Sequence, residues 1–130
     1  MATFKRFEEI EAWQKARELV RQLYVLSGNG KFAKDFGLRD QTRRAAVSIM
    51  ANIAESPERG GSSEFAQFLS MAKASASEVR SHLYVALDQG YVDQDTFDSL
   101  IGELEDTARK ISKLIDYLHG SEIKGVKYKS

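Results

Sequence analysis

Two stretches of the sequence decide the fold: residues 65–86, FAQFLSMAKASASEVRSHLYVA, and residues 97–118, FDSLIGELEDTARKISKLIDYL. Apolar side chains recur in both at alternating steps of four and three residues, which places them along one edge of an α-helix. The predicted edge of the first consists of Phe65, Leu69, Ala72, Ala76, Val79, Leu83 and Ala86. The predicted edge of the second consists of Phe97, Ile101, Leu104, Ala108, Ile111, Ile115 and Leu118. Two amphipathic helices that bury these edges together therefore form the centre of the predicted fold.

The same periodicity and the glycine-rich breaks predict two further helices nearer the N-terminus. No segment alternates polar and apolar residues over a useful length, so strands are not predicted, and short connections between long helices favour antiparallel neighbours. The predicted fold is all-α: an antiparallel up-down-up-down four-helix bundle over residues 1–120, followed by a mobile basic tail over residues 121–130. The four helices are predicted from about Glu8 to Leu26, Leu38 to Glu55, Ser62 or Ser63 to Gly90, and Asp93, as N-cap, to Gly120.

The composition is that of one ordinary globular domain. The chain has 130 residues, of which 42% are hydrophobic and 29% charged, and it contains no cysteine. Disulfides and thiolate metal sites are excluded, and nothing favours an oxidising compartment. No apolar run reaches the roughly 20 residues that cross a bilayer, and no signal peptide is recognisable. The expected location is the cytoplasm, with no membrane partner.

The second predicted helix has more apolar surface than a monomer needs. Eight of the ten residues from Ala45 to Ala54 are apolar, which leaves no continuous polar face for water. One interpretation is self-association into a homo-oligomer; the other is that this helix is the most central one of a monomer. The residues assigned to the oligomer interface or to helix packing are Ala46, Met50, Ile53, Phe68 and Met71.

Basic residues cluster around the start of the second predicted helix. Guanidinium groups pair bidentately with phosphate oxygens, so these residues are candidates for binding a structured RNA by its shape. The other interpretation is a solvated face or a set of ion pairs between helices. Phe32 and Phe36 are predicted to anchor the loop rather than to stack on bases. The candidate nucleic-acid-binding residues are Lys31, Lys34, Arg39, Arg43, Arg44 and Arg59.

The fourth predicted helix lies in an acidic part of the chain. Residues 81–120 hold eight acidic and three basic residues. This charge allows a second function from another class, a protein-interaction scaffold that binds a basic protein through Glu103, Glu105 and Asp106.

Nothing in the sequence favours catalysis. There are two histidines and no cysteine, and a metal centre in a bundle needs paired Glu-x-x-His motifs, whereas the chain offers only Asp116-x-x-His119. We therefore expect no enzyme activity, no catalytic residue, no metal and no cofactor.

Four segments carry a resemblance to a known family: Ile10–Ala16, Gln41–Glu55, Glu64–Lys73 and Gln89–Val92. With these segments the chain resembles the bacterial four-helix-bundle proteins encoded in intervening sequences of 23S ribosomal RNA genes. The resemblance extends over nearly all of the predicted bundle. It implies a ring-shaped homo-oligomer, specifically a pentamer, and an association with ribosomal RNA.

Overall fold

The computed structural model of the chain describes residues 6–55 and 62–129, and every long element in these ranges is a helix. The part of the chain that is described contains no strand, in agreement with the predicted all-α class. A short 3-10 helix, Phe7–Glu9, comes first. It is followed by α1 (Glu11–Ser27), α2 (Gly30–Lys34), α3 (Phe36–Glu55), α4 (Ser62–Asp88) and α5 (Gln94–Lys129).

The apolar edge of α4 packs into the core as its spacing predicts. All seven residues of the predicted edge are buried, from Phe65, at 8% exposed, to Ala86, which is fully buried. Steps of four and three residues keep them within a narrow stripe along the helix. The prediction for this helix is confirmed.

The predicted edge of α5 is correct only in part. Phe97, Leu104, Ile111 and Leu118 are buried, but Ile101, Ala108 and Ile115 remain half-exposed. Their expected places in the core belong to Leu100, which is 3% exposed, and to the fully buried Thr107. The Thr107 hydroxyl donates to the carbonyl oxygen of Glu103 at 2.8 Å, so the threonine is buried without an unpaired polar group.

The junction between α1 and α3 contains a helix that the sequence does not predict. Gly30 opens α2 in the left-handed region, with φ 57°, and Phe32 of α2 is fully buried. The Asp35 side chain accepts the backbone N–H of Leu38 at 3.2 Å, and its carbonyl accepts that of Arg39 at 2.9 Å. This cap starts α3 at Phe36, two residues before the predicted Leu38.

Helix α5 begins as predicted and ends later. The Asp93 carboxylate accepts the backbone N–H of Thr96 at 2.8 Å, and this hydrogen bond lowers the pKa of Asp93. The predicted N-cap is therefore confirmed. The helix continues past Gly120 to Lys129, so the predicted end was wrong. The mobility of residues 121–130 remains a prediction.

Each of the four long helices packs against two of the others. Helix α1 packs against α3 and α5, and α4 also packs against α3 and α5. Between α1 and α5, Glu11 contacts Lys110 at 2.9 Å, Lys15 contacts Asp106 at 3.3 Å, and Gln22 donates to Glu103 at 3.0 Å. Residue numbers rise along α1 as they fall along α5.

The turn between α4 and α5 is fastened to the junction between α1 and α3. The Tyr91 ring stacks on Phe32 with 5.5 Å between centroids, and its hydroxyl donates to the Asp35 carboxylate at 2.9 Å. This hydrogen bond raises the pKa of Tyr91, because only the protonated phenol can donate it. Phe32 thus anchors the junction as predicted, whereas Phe36 is 64% exposed and does not.

Candidate nucleic-acid interface

Arg43 is held by the end of α1. Its Nε donates to the Ser27 hydroxyl at 2.8 Å, one Nη donates to the Tyr24 carbonyl at 3.1 Å, and the guanidinium lies 4.4 Å from the centre of the Tyr24 ring. Carbonyl groups in the last turn of a helix lack intrahelical partners, and a cation there also complements the helix dipole. A Cβ added at Gly28 would lie 2.9 Å from the Tyr24 oxygen, so this cap leaves little room.

Arg39 also has partners within the protein. Its Nε contacts the Asp40 carboxylate at 2.8 Å, one Nη donates to the Ala33 carbonyl at 3.2 Å, and the guanidinium covers the Phe36 ring at 4.9 Å. Only 27% of the side chain is exposed. A phosphate that approached Arg39 would compete with Asp40 for the same donors.

Three other candidate nucleic-acid-binding residues have fewer contacts within the protein. Lys31, Lys34 and Arg44 are exposed, and within residues 6–55 and 62–129 no ion pair is found for them. Arg44 follows Arg43 by one position and so projects about 100° further around α3. The two arginines that are adjacent in sequence therefore point in different directions. Arg59 lies outside the described residues.

A second group of basic residues lies across α4 and α5, and sequence reasoning missed it. Lys73 and Arg80 of α4 line a groove together with Arg109 of α5. Arg109 follows Arg80 by 29 positions, so no local pattern connects the two. Only the packing of α4 on α5 brings these residues together.

The three acidic residues of the scaffold hypothesis already have partners. Glu103 accepts from Gln22, Glu105 contacts Arg80 at 3.5 Å, and Asp106 contacts Lys15 at 3.3 Å. The hydrogen bond from Lys15 lowers the pKa of Asp106, and the partial burial of the carboxylate opposes this effect only in part. These carboxylates hold α5 against α1 and α4.

The residues assigned to an oligomer interface or to helix packing divide into two groups. Ala46 and Ile53 are fully buried inside the single chain, and Met50 packs against its core. They therefore pack helices within one chain. Phe68 is half-buried and Met71 is 53% exposed, so Met71 is the most accessible of the five.

The neighbouring helix α3 also has an exposed apolar side chain. Ser75 of α4 donates to Ser48 of α3 at 2.9 Å, which puts these two positions at the same level. Val47, 38% exposed, is adjacent to Ser48, and Met71 lies one turn from Ser75. Val47 and Met71 are thus exposed apolar side chains on two neighbouring helices, α3 and α4.

The described residues form no group of three or more histidine and carboxylate side chains that could hold a metal ion. In the same part of the chain, no helix is both long enough and apolar enough to cross a bilayer.

Comparison with known protein families matches residues 8–113 to the 23S rRNA-intervening sequence proteins. The chain belongs to this family. The match spans α1 to α4 and more than half of α5, so the family assignment covers most of the core and both basic groups. The resemblance predicted from the sequence is confirmed.

A solved structure shares the fold of this member of the 23S rRNA-intervening sequence proteins. It is a protein of unknown function from the S23 ribosomal protein family of Bacteroides thetaiotaomicron, with a TM-score of 0.73 and 21% sequence identity. The alignment covers 80% of the present chain and 97% of the other. No curated protein matches the chain.

Proposed function

We propose that this chain is a non-enzymatic, RNA-associated binding protein that works as a homo-oligomer in the bacterial cytoplasm. The observation that carries the proposal is the family match over residues 8–113, because that family is described by its link to 23S rRNA. The exposed basic side chains support it, since Lys and Arg supply most of the affinity of proteins for nucleic acids.

The proposed architecture of the protomer is an antiparallel up-down-up-down bundle. The opposite run of residue numbers in the α1–α5 contacts supports it. Contacts between α4 and α5 follow the same rule: Arg80 lies near Glu105, and Tyr84 near Phe97 with 4.8 Å between ring centroids. Short connections between the helices favour the same arrangement.

In this proposal Lys31, Lys34 and Arg44 contact phosphates directly. Their ammonium and guanidinium groups are exposed and have no acidic partner among the described residues. Arg39 contributes only when Asp40 releases it, and Arg43 stabilises the helix junction instead. Arg59 is kept as a contact on the basis of the sequence alone.

Self-association is proposed through the outer surface of α3 and α4, as a ring and specifically a pentamer. The exposed Met71 and Val47 support this surface. Repetition of a modest basic patch around a ring would raise avidity for one folded RNA without any new contact. Sedimentation of the purified protein tests the assembly. Met71→Glu should shift the population toward the monomer, whereas Met71→Leu should not.

RNA binding is tested by titrating a structured ribosomal RNA fragment at several salt concentrations. The triple variant Lys31→Ala, Lys34→Ala, Arg44→Ala should lower the slope of log affinity against log salt by about 2–3, since each lost phosphate contact removes roughly 0.7–0.9. Arg6→Ala, Arg17→Ala, Arg21→Ala is the control with equal loss of charge. If the wild-type protein does not bind at low salt, the proposed function is wrong.

The scaffold hypothesis receives no comparable support. A basic protein that bound Glu103, Glu105 and Asp106 would have to displace Gln22, Arg80 and Lys15 from them. The cost of breaking these contacts would be subtracted from the affinity.

A further inference from the structure

A groove of about 360 Å³ runs between α4 and α5 on the outside of the bundle. Short side chains produce it: Ala76 and Ser77 on α4 face Ala108 and Ser112 on α5. None of the four is large enough to fill the space between the two helices. The groove is therefore lined by alanine side chains and the buried Leu104, with two hydroxyl groups beside them.

The charged residues of the groove are three cations and one carboxylate: Lys73, Arg80, Arg109 and Glu105. Arg80 and Glu105 contact each other at 3.5 Å, with 45% and 47% of their side chains exposed. Each thus offsets part of the other's charge. Two cations, Lys73 and Arg109, remain for a ligand.

Arg109 is only weakly neutralised. It contacts Asp106 at 3.6 Å, but that carboxylate also contacts Lys15 at 3.3 Å and Lys110 at 4.0 Å. Because Lys110 pairs more closely with Glu11, at 2.9 Å, Asp106 is shared mainly by Lys15 and Arg109, and its contact with Arg109 is the longer of the two. Lys73 is exposed, and no ion pair is found for it within the described ranges. An anion in the groove would meet little competition for either side chain.

The cations are spread along the groove and do not converge on one point. Lys73 and Arg80 are seven residues apart on α4, which is about 10 Å along the helix axis. Because Arg80 lies opposite Glu105, Arg109 lies one turn away from Arg80, at the level between the two α4 cations. This spacing suits successive charges of a polyanion better than a single phosphate ion.

We propose that the α4–α5 groove binds the sugar-phosphate backbone of an RNA strand. Lys73 and Arg109 contact phosphate oxygens, the hydroxyl groups of Ser77 and Ser112 donate to the backbone, and the sugar packs on the apolar lining of Ala76, Leu104 and Ala108. The inference rests on the proposed RNA association and adds a second contact surface, remote in sequence from Lys31, Lys34 and Arg44.

The test compares two double variants of the full chain in binding to a synthetic RNA hairpin. Lys73→Ala with Arg109→Ala removes both groove cations, and Arg17→Ala with Arg21→Ala removes the same charge from α1. We expect the groove variant to lose affinity on the order of 10-fold or more near 0.1 M salt, and its salt slope to fall by about 1.4–1.8. The α1 variant should stay within about threefold of the wild type.

A second pair separates the effect of a negative charge in the groove from the effect of side-chain size. Ser77→Glu places a carboxylate in the groove, and Ser77→Gln places a side chain of the same length without charge. The glutamate variant should bind the hairpin more weakly than the glutamine variant while both unfold at similar temperatures. Equal binding by the two would overturn the inference.

The outcomes separate the groove from the proposed function. If the wild-type protein does not bind the hairpin, the proposed RNA association is wrong. If the wild-type protein binds and the groove variant has the same affinity as the α1 variant, RNA association stands and only the proposed groove site is wrong. A third measurement is the binding of inorganic phosphate to the same proteins at constant ionic strength. Saturable phosphate binding lost in the groove variant, with unchanged RNA affinity, would identify a single-anion site and would also contradict the proposal.

Discussion

Replacing Arg43 should lower the stability of the protein rather than its affinity for RNA. In Arg43→Ala, the Ser27 hydroxyl and the Tyr24 carbonyl lose a charged donor, and the Tyr24 ring loses the cation above it. Hydrogen bonds to charged groups contribute about 1.5–3 kcal/mol each, but solvent around this partly exposed site reduces the combined value to about 2 kcal/mol. The cation–π contact adds roughly 0.5 kcal/mol.

The expected loss of about 2–3 kcal/mol in the free energy of unfolding can be measured in two ways. An unfolding entropy of about 2.1 cal/mol/K per residue over this chain converts the loss into a drop in Tm of roughly 7–11 °C. In urea, the midpoint should fall by about 1 M or slightly more. Protein concentration must be held fixed, since self-association would otherwise shift the midpoint.

Two further variants make the test specific. Arg44→Ala removes an exposed arginine from the next position of the same helix and should change stability by no more than about 0.5 kcal/mol. Arg43→Lys keeps the charge but not the planar fork, and should unfold between the wild type and Arg43→Ala. If Arg43→Ala unfolds at the midpoint of Arg44→Ala, the capping role assigned to Arg43 is refuted.

Three other outcomes can be checked by the same unfolding measurements. Leu83→Ala, at a fully buried position of α4, should cost about 2–5 kcal/mol, and Val85→Ala, at a position that is 43% exposed, less than about 1 kcal/mol; equal losses would contradict the assigned core edge. Leu100→Ala should destabilise the protein more than Ile101→Ala, and the reverse order would restore the edge predicted from the sequence. Asp93 has a folded-state pKa below its unfolded value, so its contribution is present above the unfolded pKa and is lost as the pH falls through the folded one. Between pH 6 and pH 2 the wild type should therefore lose more stability than Asp93→Asn, and parallel losses would show that the cap contributes nothing.

The sequence predicted the buried residues of some helices better than those of others. All seven residues predicted for the edge of α4 are buried, and every residue that the core accepts from this helix is apolar. On α5 the pattern of apolar residues favoured Ala108, whereas the core accepts Thr107, whose hydroxyl is satisfied by its own helix. Burial of such a residue cannot be recognised from polarity alone. Helix α2 was missed because five residues are too few to establish a helical period.

The candidate site was less predictable than the fold, since its properties depend on tertiary contacts. Arg43 and Arg44 are equivalent in the sequence, but only Arg43 meets the end of α1, 16 positions away. The α4–α5 groove depends on residues that are far apart in the chain. The open space of the groove also depends on the short side chains between the cations. A search of the sequence for clusters of basic residues does not detect these side chains.

The ion pairs between α1 and α5 also fix how far one helix can slide along the other. If α5 moved by one helical turn in one direction, Glu11 would face Asp106; a turn in the other direction would place Lys15 opposite Lys110. Both displaced alignments set like charges against each other, whereas the observed one pairs opposite charges. Salt screens such repulsion, so concentrated salt should make the alignment of these two helices less exclusive even where it leaves the bundle folded.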